Sequence, residues 1–122
     1  MRALIIDDSR SMRMIIGRII REIGFETFEA GDGQEGLARL EEHGAPDLIL
    51  ADWNMPNMNG YEFVQAVRAN TAYDKVQIVM VTTESEVGQI TKALDAGANE
   101  YVMKPFTADI IRDKLAILGI SV

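Results

Sequence analysis

The sequence predicts an open α/β domain, a parallel sheet of five strands with five helices on its two faces. Three observations carry this. Short apolar runs alternate with segments of helical periodicity along the 122 residues, the pattern of successive βαβ units. The run Leu48, Ile49, Leu50, Ala51, behind the breaker Pro46, has the apolar character on both faces that marks a strand sandwiched between helices. Polar residues capable of chemistry follow four of the five runs, at the carboxyl ends where such a sheet binds its ligands.

Taken in order, residues 3–6 form the first strand, stopped by Asp7 and Asp8. Residues 9–23 give the clearest helix: Met12, Ile15, Ile16, Ile19, Ile20 and Ile23 follow the i, i+3, i+4, i+7 spacing of one buried stripe, with arginines on other faces and Gly24 at C′. Residues 25–30 make a weaker strand whose glutamates suit an edge. A shorter helix over 33–43 carries Leu37 and Leu40 and ends at Gly44, with His43 read as a solvated residue favourable to the helix dipole. The third strand, 48–51, puts Asp52 at its carboxyl end, and Asn54, Pro56, Asn57, Asn59 and Gly60 then force the chain into a loop. Residues 61–70 read as a helix turning Phe63, Val64 and Val67 inward, and 76–81 as a second buried strand followed by Thr82, Thr83 and Glu84. A thinner helix over 86–96 rests on Val87, Ile90 and Leu94 and closes at Gly97; Gly88 weakens it by about 1 kcal/mol relative to alanine. Residues 101–103 are the last strand, ending in Lys104 and Pro105. Thr107 caps a final helix whose core contacts are Ile110, Ile111, Leu115 and Leu118.

Length fits one domain over residues 1–122, able to bury a core without staples. With no cysteine there is neither a disulfide nor a thiolate metal site, which suits a reducing cytoplasm. The opening MRALIID is too short in apolar residues for a signal peptide. No segment approaches the roughly 18 apolar residues of a membrane span. A formal net charge of −7 argues against nucleic acid as a partner, since lysine and arginine on phosphates supply most of that affinity. Proteins and small ions are the expected partners.

The strand ends bring Asp7, Asp8, Asp52, Thr82 and Lys104 forward, whereas the second strand ends in Ala30 and Gly31. A strand order of 2-1-3-4-5 accounts for this, because it sets the first and third strands side by side at the topological switch point and sends the second to an edge. Three carboxylates so close repel one another unless a cation neutralises them. Oxygen ligands without histidine or cysteine select a hard octahedral ion, Mg²⁺ or Mn²⁺ in its place. Asp52 can then attack phosphorus and carry an aspartyl phosphate, while Lys104 and Thr82 serve the other phosphoryl oxygens.

In order along the chain, DD at Asp7 and Asp8, DWNMPNMNG from Asp52, MVTTE from Met80 and YVMKPF from Tyr101 resemble the receiver domain of two-component response regulators, in particular its single-domain chemotaxis members. The resemblance covers nearly the whole chain and implies the flavodoxin-like order 2-1-3-4-5, so that order is in part inherited from it. It implies that Asp8, Asp52 and the Asn54 carbonyl bind Mg²⁺, that Asp7 holds a metal-bound water, and that Asp52 is the phosphoacceptor with Lys104 as its charge partner. Thr82 and Tyr101 would form the switch, Asn54 and Glu84 would tune dephosphorylation, and the Lys104–Pro105 bond would be cis.

The expected protein is a monomeric cytoplasmic switch, catalysing only its own phosphorylation and autodephosphorylation. It would take phosphate from a sensor histidine kinase, a chemotaxis kinase first, and act on a protein such as a flagellar motor switch protein, with a phosphatase as a further partner. The alternative is a stand-alone phosphorelay carrier or another single-domain regulator outside chemotaxis. A phosphatase using an aspartyl intermediate needs a second acid two residues after the nucleophile, where Asn54 stands. A flavin carrier needs a hydroxyl- and glycine-rich phosphate loop, where DDSRS brings two negative charges. Thr83, where the chemotaxis members often have a smaller residue, and the short segment after Leu118 are departures that bear on the partner. With nothing after Val122 to bind DNA, output is expected through protein binding.

Overall fold

The computed structural model describes residues 1–83 and 88–120. Five parallel strands, β1 (Arg2–Ile6), β2 (Glu26–Ala30), β3 (Leu48–Asp52), β4 (Gln77–Thr82) and β5 (Glu100–Met103), lie in the order β2-β1-β3-β4-β5. This is the doubly wound, flavodoxin-like arrangement. Helices α1 (Arg10–Ile23) and α5 (Ala108–Ile117) pack on one face, and α2 (Gly33–His43), α3 (Gly60–Arg68) and α4 (Ile90–Ala96) on the other. A short 3₁₀ turn, Thr71–Tyr73, follows α3.

The pleat explains the unbroken apolar runs. Ala3, Ile5, Leu48 and Leu50 enter the core under α1 and α5, while Leu4, Ile6, Ile49 and Ala51 enter the core under α2, α3 and α4. β2, the edge, leaves Glu26 exposed and its centre half-buried. Caps set the helix starts: Ser9 accepts from the Met12 N–H, Asp32 from Glu35, Thr107 from Ile110, and Asn59 with Glu62 forms a full capping box. No helix among the described residues is long and apolar enough to cross a membrane.

Some core assignments need correction. The α1 stripe is narrower than its six apolar residues: Ile16, Ile20 and Ile23 are buried, Met12 and Ile19 lie at the margin, and Ile15 is 57% exposed. Six residues at that spacing cover a wider arc than the sheet and α5 can hide, so Ile15 is left on the rim of a groove with Pro105 and Phe106. For the same reason α5 buries Ile111 and Leu115 but leaves Ile110 41% exposed, and Leu118 is its half-buried C-cap. The inward residue of α4 is Ala93, and Leu94 is 40% exposed. A small residue at that contact brings α4 in close beside α3. The expected residues 86 and 87 of this helix lie outside the described residues, as does Glu84. The 61–70 helix begins at Gly60 and stops at Arg68.

Two arginines close the amino-terminal pole of the sheet. Arg68 donates to the carbonyls of Gly97 (2.9 Å), Tyr73 (2.9 Å) and Val76 (2.7 Å) and to Asn99 Oδ1 (2.8 Å), which also takes the Ile78 N–H at 2.8 Å. Arg2 donates to the carbonyls of His43 (2.8 Å) and Ala45 (2.9 Å). Both therefore serve carbonyls left over at helix ends and turns.

Candidate functional site

At the opposite pole the register does the gathering. Ile6 pairs with Ala51, so the next residues, Asp7 and Asp52, emerge side by side. Asp7, Asp8 and Asp52 offer ligand oxygens that all lie within 4.8 Å of one another. Asp7 and Asp52 are buried, and Asp8 is exposed at the mouth. The Lys104 Nζ reaches across from the end of β5, 3.0 Å from Asp7 Oδ2 and 3.4 Å from Asp52 Oδ1. Burial works against the lysine charge, but these carboxylates outweigh it and hold the Lys104 pKa above its ordinary value.

Three carboxylates and one ammonium leave two formal negative charges in a cleft open on one side. A divalent cation matches that charge. The donors are hard oxygens with an exposed carboxylate facing solvent, which suits Mg²⁺ because it keeps waters or phosphate oxygens among its ligands. The set therefore fits the ion expected from the sequence.

The surrounding bonds fix these side chains. Asp7 Oδ1 accepts the Ser9 N–H at 2.9 Å, and the Asp7 N–H donates to the Ala30 carbonyl at 3.2 Å. The loop after Asp52 is tied back on itself: the Trp53 N–H donates to Val81, and the Gly60 N–H to the Trp53 carbonyl at 2.9 Å. Gly60 is required by proximity, since a Cβ there would sit 2.6 Å from the Asp52 carbonyl oxygen and 2.6 Å from Met80 Cε. Farther along, Asn57 takes a positive φ of 66° and donates to Asp32 Oδ2 at 2.9 Å, joining the loop to the cap of α2. Asn54 is exposed at the start of this loop.

Thr82 ends β4 beside β3, 1% exposed, and its side-chain oxygen has no hydrogen-bond partner among the described residues. Its carbonyl accepts the Lys104 N–H at 2.7 Å. Tyr101 pairs with Met80 across β4 and β5, half-buried against the α2–α4 core, with the Lys114 Nζ 4.5 Å from its ring centroid. The Lys104–Pro105 bond is cis. Asp7, Asp8, Asp52 and Lys104 are thus brought into contact, Thr82 is placed at the neighbouring strand end, and Glu84 is outside the described residues.

Sequence reasoning missed Arg13, which it assigned to an outer face of the first helix. Its Nη1 donates to the Asp7 carbonyl at 2.6 Å while its Nε pairs with Glu29 at 3.1 Å. The available signal was directional: helical side chains lean toward the amino terminus, so a long residue in the first turn of α1 reaches back over the end of β1.

The sequence model of the response regulator receiver domain matches residues 3–116. The chemotaxis protein CheY1 of Helicobacter pylori is 38% identical over 119 residues, 97% of this chain and 96% of its own. CheY, a chemotaxis protein of Pseudomonas aeruginosa, is 43% identical over 116 residues, 94% of this chain and 93% of its own. Among solved structures, the chemotaxis response regulator CheY4 of Vibrio cholerae superposes with a TM-score of 0.86 at 34% identity, covering 96% of this chain and 97% of that one. The similarity spans both the sheet and the acidic cluster at its carboxyl end, and the chain belongs to the response regulator receiver domain family.

Proposed function

We propose that this protein is a phosphorylation-activated switch of a two-component system, accepting a phosphoryl group from a histidine kinase onto Asp52. The observation that carries the reading is the Asp7, Asp8 and Asp52 cluster with Lys104 bridging two of its members. A carboxylate oxygen of Asp52 forms the new bond to phosphorus as the bond to the donor breaks, giving an aspartyl phosphate. Asp8, Asp52 and the Asn54 carbonyl would hold Mg²⁺, with Asp7 holding one of its waters. When bound, the ion supplies charge neutralisation at the phosphoryl oxygens.

Lys104 neutralises a further phosphoryl oxygen from where it already sits, bonded to both buried carboxylates. Thr82 donates to a third. An unpaired buried hydroxyl forfeits about 1–3 kcal/mol, and a phosphoryl oxygen offers Thr82 the partner it lacks. That bond draws Thr82 toward the cleft and biases Tyr101 inward, changing the surface of α4, β5 and α5. Asn54 and Glu84 border the path of the hydrolytic water and tune dephosphorylation. The only reactions catalysed are the protein's own phosphorylation and dephosphorylation.

The relatives named as chemotaxis proteins, matched over nearly their whole length, favour a single-domain regulator of that pathway, and in the proposed reading it works as a cytoplasmic monomer. Its partners would be a chemotaxis histidine kinase, a flagellar motor switch protein, and a phosphatase. Asp52→Asn tests the core of this: Mg²⁺-dependent labelling by acetyl phosphate should vanish, because an amide is a far poorer nucleophile. Retained acid-labile label would remove Asp52 as acceptor. Activated protein that passes phosphate onward, without gaining affinity for a flagellar switch protein, would make it a phosphorelay carrier instead.

A further inference from the structure

We propose that Arg13 is a positioning residue for the metal site, acting through the peptide between Asp7 and Asp8 and not through its charge. This rests on the reading of the acidic cluster as a divalent-cation site. Among the described residues no donor holds the exposed Asp8 carboxylate, so its aim depends on the backbone beneath it. The Asp7 carbonyl belongs to the same planar unit as the Asp8 N–H and Cα. Whatever fixes that carbonyl fixes the direction in which Asp8 leaves the strand.

Arg13 does so at 2.6 Å. Its guanidinium is itself braced, with Nε 3.1 Å from Glu29 Oε1 on the edge strand and a side chain only 19% exposed. Two ties on a planar fork leave little rotamer freedom, so the arm from α1 is stiff. The Asp7 N–H bond to Ala30 and the Ser9 N–H bond to Asp7 Oδ1 complete the anchoring of this turn. Outer residues that orient metal ligands commonly govern affinity by 10- to 100-fold.

Charge alone predicts the opposite sign. Removing a cation from beside three carboxylates should strengthen Mg²⁺ binding, whereas releasing the Asp7–Asp8 peptide should weaken it. The experiment is calorimetric titration of the purified protein with MgCl₂, for wild type, Asp8→Asn, Arg13→Gln, Arg13→Lys and Glu29→Gln, with thermal unfolding of each metal-free variant alongside. Expected are binding by wild type, loss in Asp8→Asn, roughly tenfold weakening in Arg13→Gln, partial recovery in Arg13→Lys, and a smaller loss in Glu29→Gln with metal-free stability close to wild type. Unchanged or tighter binding by Arg13→Gln overturns the proposal and leaves the metal site standing. Should Arg13→Gln not fold, unchanged affinity in both Glu29→Gln and Arg13→Lys overturns it equally. A wild type that binds no Mg²⁺ overturns the metal site and this proposal together.

Discussion

Replacing Lys104 by methionine should destabilise the metal-free protein by about 3 kcal/mol. At an effective dielectric of about 20, contacts of 3.0 and 3.4 Å each give roughly 5 kcal/mol of Coulomb attraction, most of it offset by desolvation of the ions. Removing the ammonium alone takes from two buried carboxylates the cation that bridges them. Breaking such a buried pair costs about 3–5 kcal/mol, and the 16% exposure of Lys104 to the cleft sets the expectation at the lower end. With unfolding entropy of about 2.1 cal/mol/K per residue over 122 residues, this lowers Tm by about 12 °C.

The pH dependence has a defined sign. Because the folded pKa of Lys104 is raised above 10.5, its stabilisation is complete below that value and is lost as pH rises through the folded pKa. The gap between wild type and Lys104→Met should therefore be flat from about pH 6 to 9 and narrow above about 10.5. Mg²⁺ should recover more stability in the variant than in wild type, up to about 2.7 kcal/mol at a hundredfold excess over Kd. Denaturant titrations with EDTA or MgCl₂ measure all three quantities. A loss under about 0.5 kcal/mol would make Lys104 an ordinary surface cation, and equal Mg²⁺ recovery in both proteins would show that ion and lysine do not share the site.

Thr82→Ala should still be labelled by acetyl phosphate yet gain much less partner affinity on beryllofluoride activation than wild type; equal gains in Thr82→Ala, Tyr101→Ala and the double variant would show that neither transmits the signal. Gly60→Ala places a methyl carbon 2.6 Å from the Asp52 carbonyl oxygen, and should lower stability by about 1–3 kcal/mol, seen in the urea midpoint; an unchanged midpoint would mean the loop yields freely. Asp32→Ala removes a helix cap and the Asn57 contact, so about 1 kcal/mol should be lost at neutral pH. The Asp32 pKa is lowered by the Glu35 N–H and then by Asn57, so its contribution is present above the ordinary 3.8 and lost as pH falls through the lowered value; the gap from wild type should close in that range, and a gap that persists below it would assign the effect to packing.

The sheet was legible because its signals are local. Leu48 to Ala51, short and apolar behind Pro46, carries the mark of a strand buried on both faces, and the polar residues after four of the five runs point to those strand ends with no order assumed. Helix bounds were less so: Gly60 joins α3 because Asn59 and Glu62 cap each other, a pairing visible in sequence only if the turn before it is known. Exposure of Ile15, Ile110 and Leu94 was hidden, since periodicity gives the direction of a helix face but not the width of what covers it. Contacts of long polar arms were hidden altogether. Arg13 to Asp7, Asn57 to Asp32 and Arg68 to Gly97 depend on which loops meet, and only the assembled sheet decides that.

The arginine closure of the amino-terminal pole gives the domain a mechanical polarity. Arg68 rivets the turn after α3, the entry to β4 and the far end of α4 to one another, and Arg2 does the same for the end of α2. Amide exchange should accordingly be slowest in the strand starts and quicken toward the cleft. On the proposed reading of Asp52 as phosphoacceptor, a push that begins there would meet fixed material behind it and would travel sideways through β4 and β5 into α4 and α5. A fan riveted at its handle opens only at its rim.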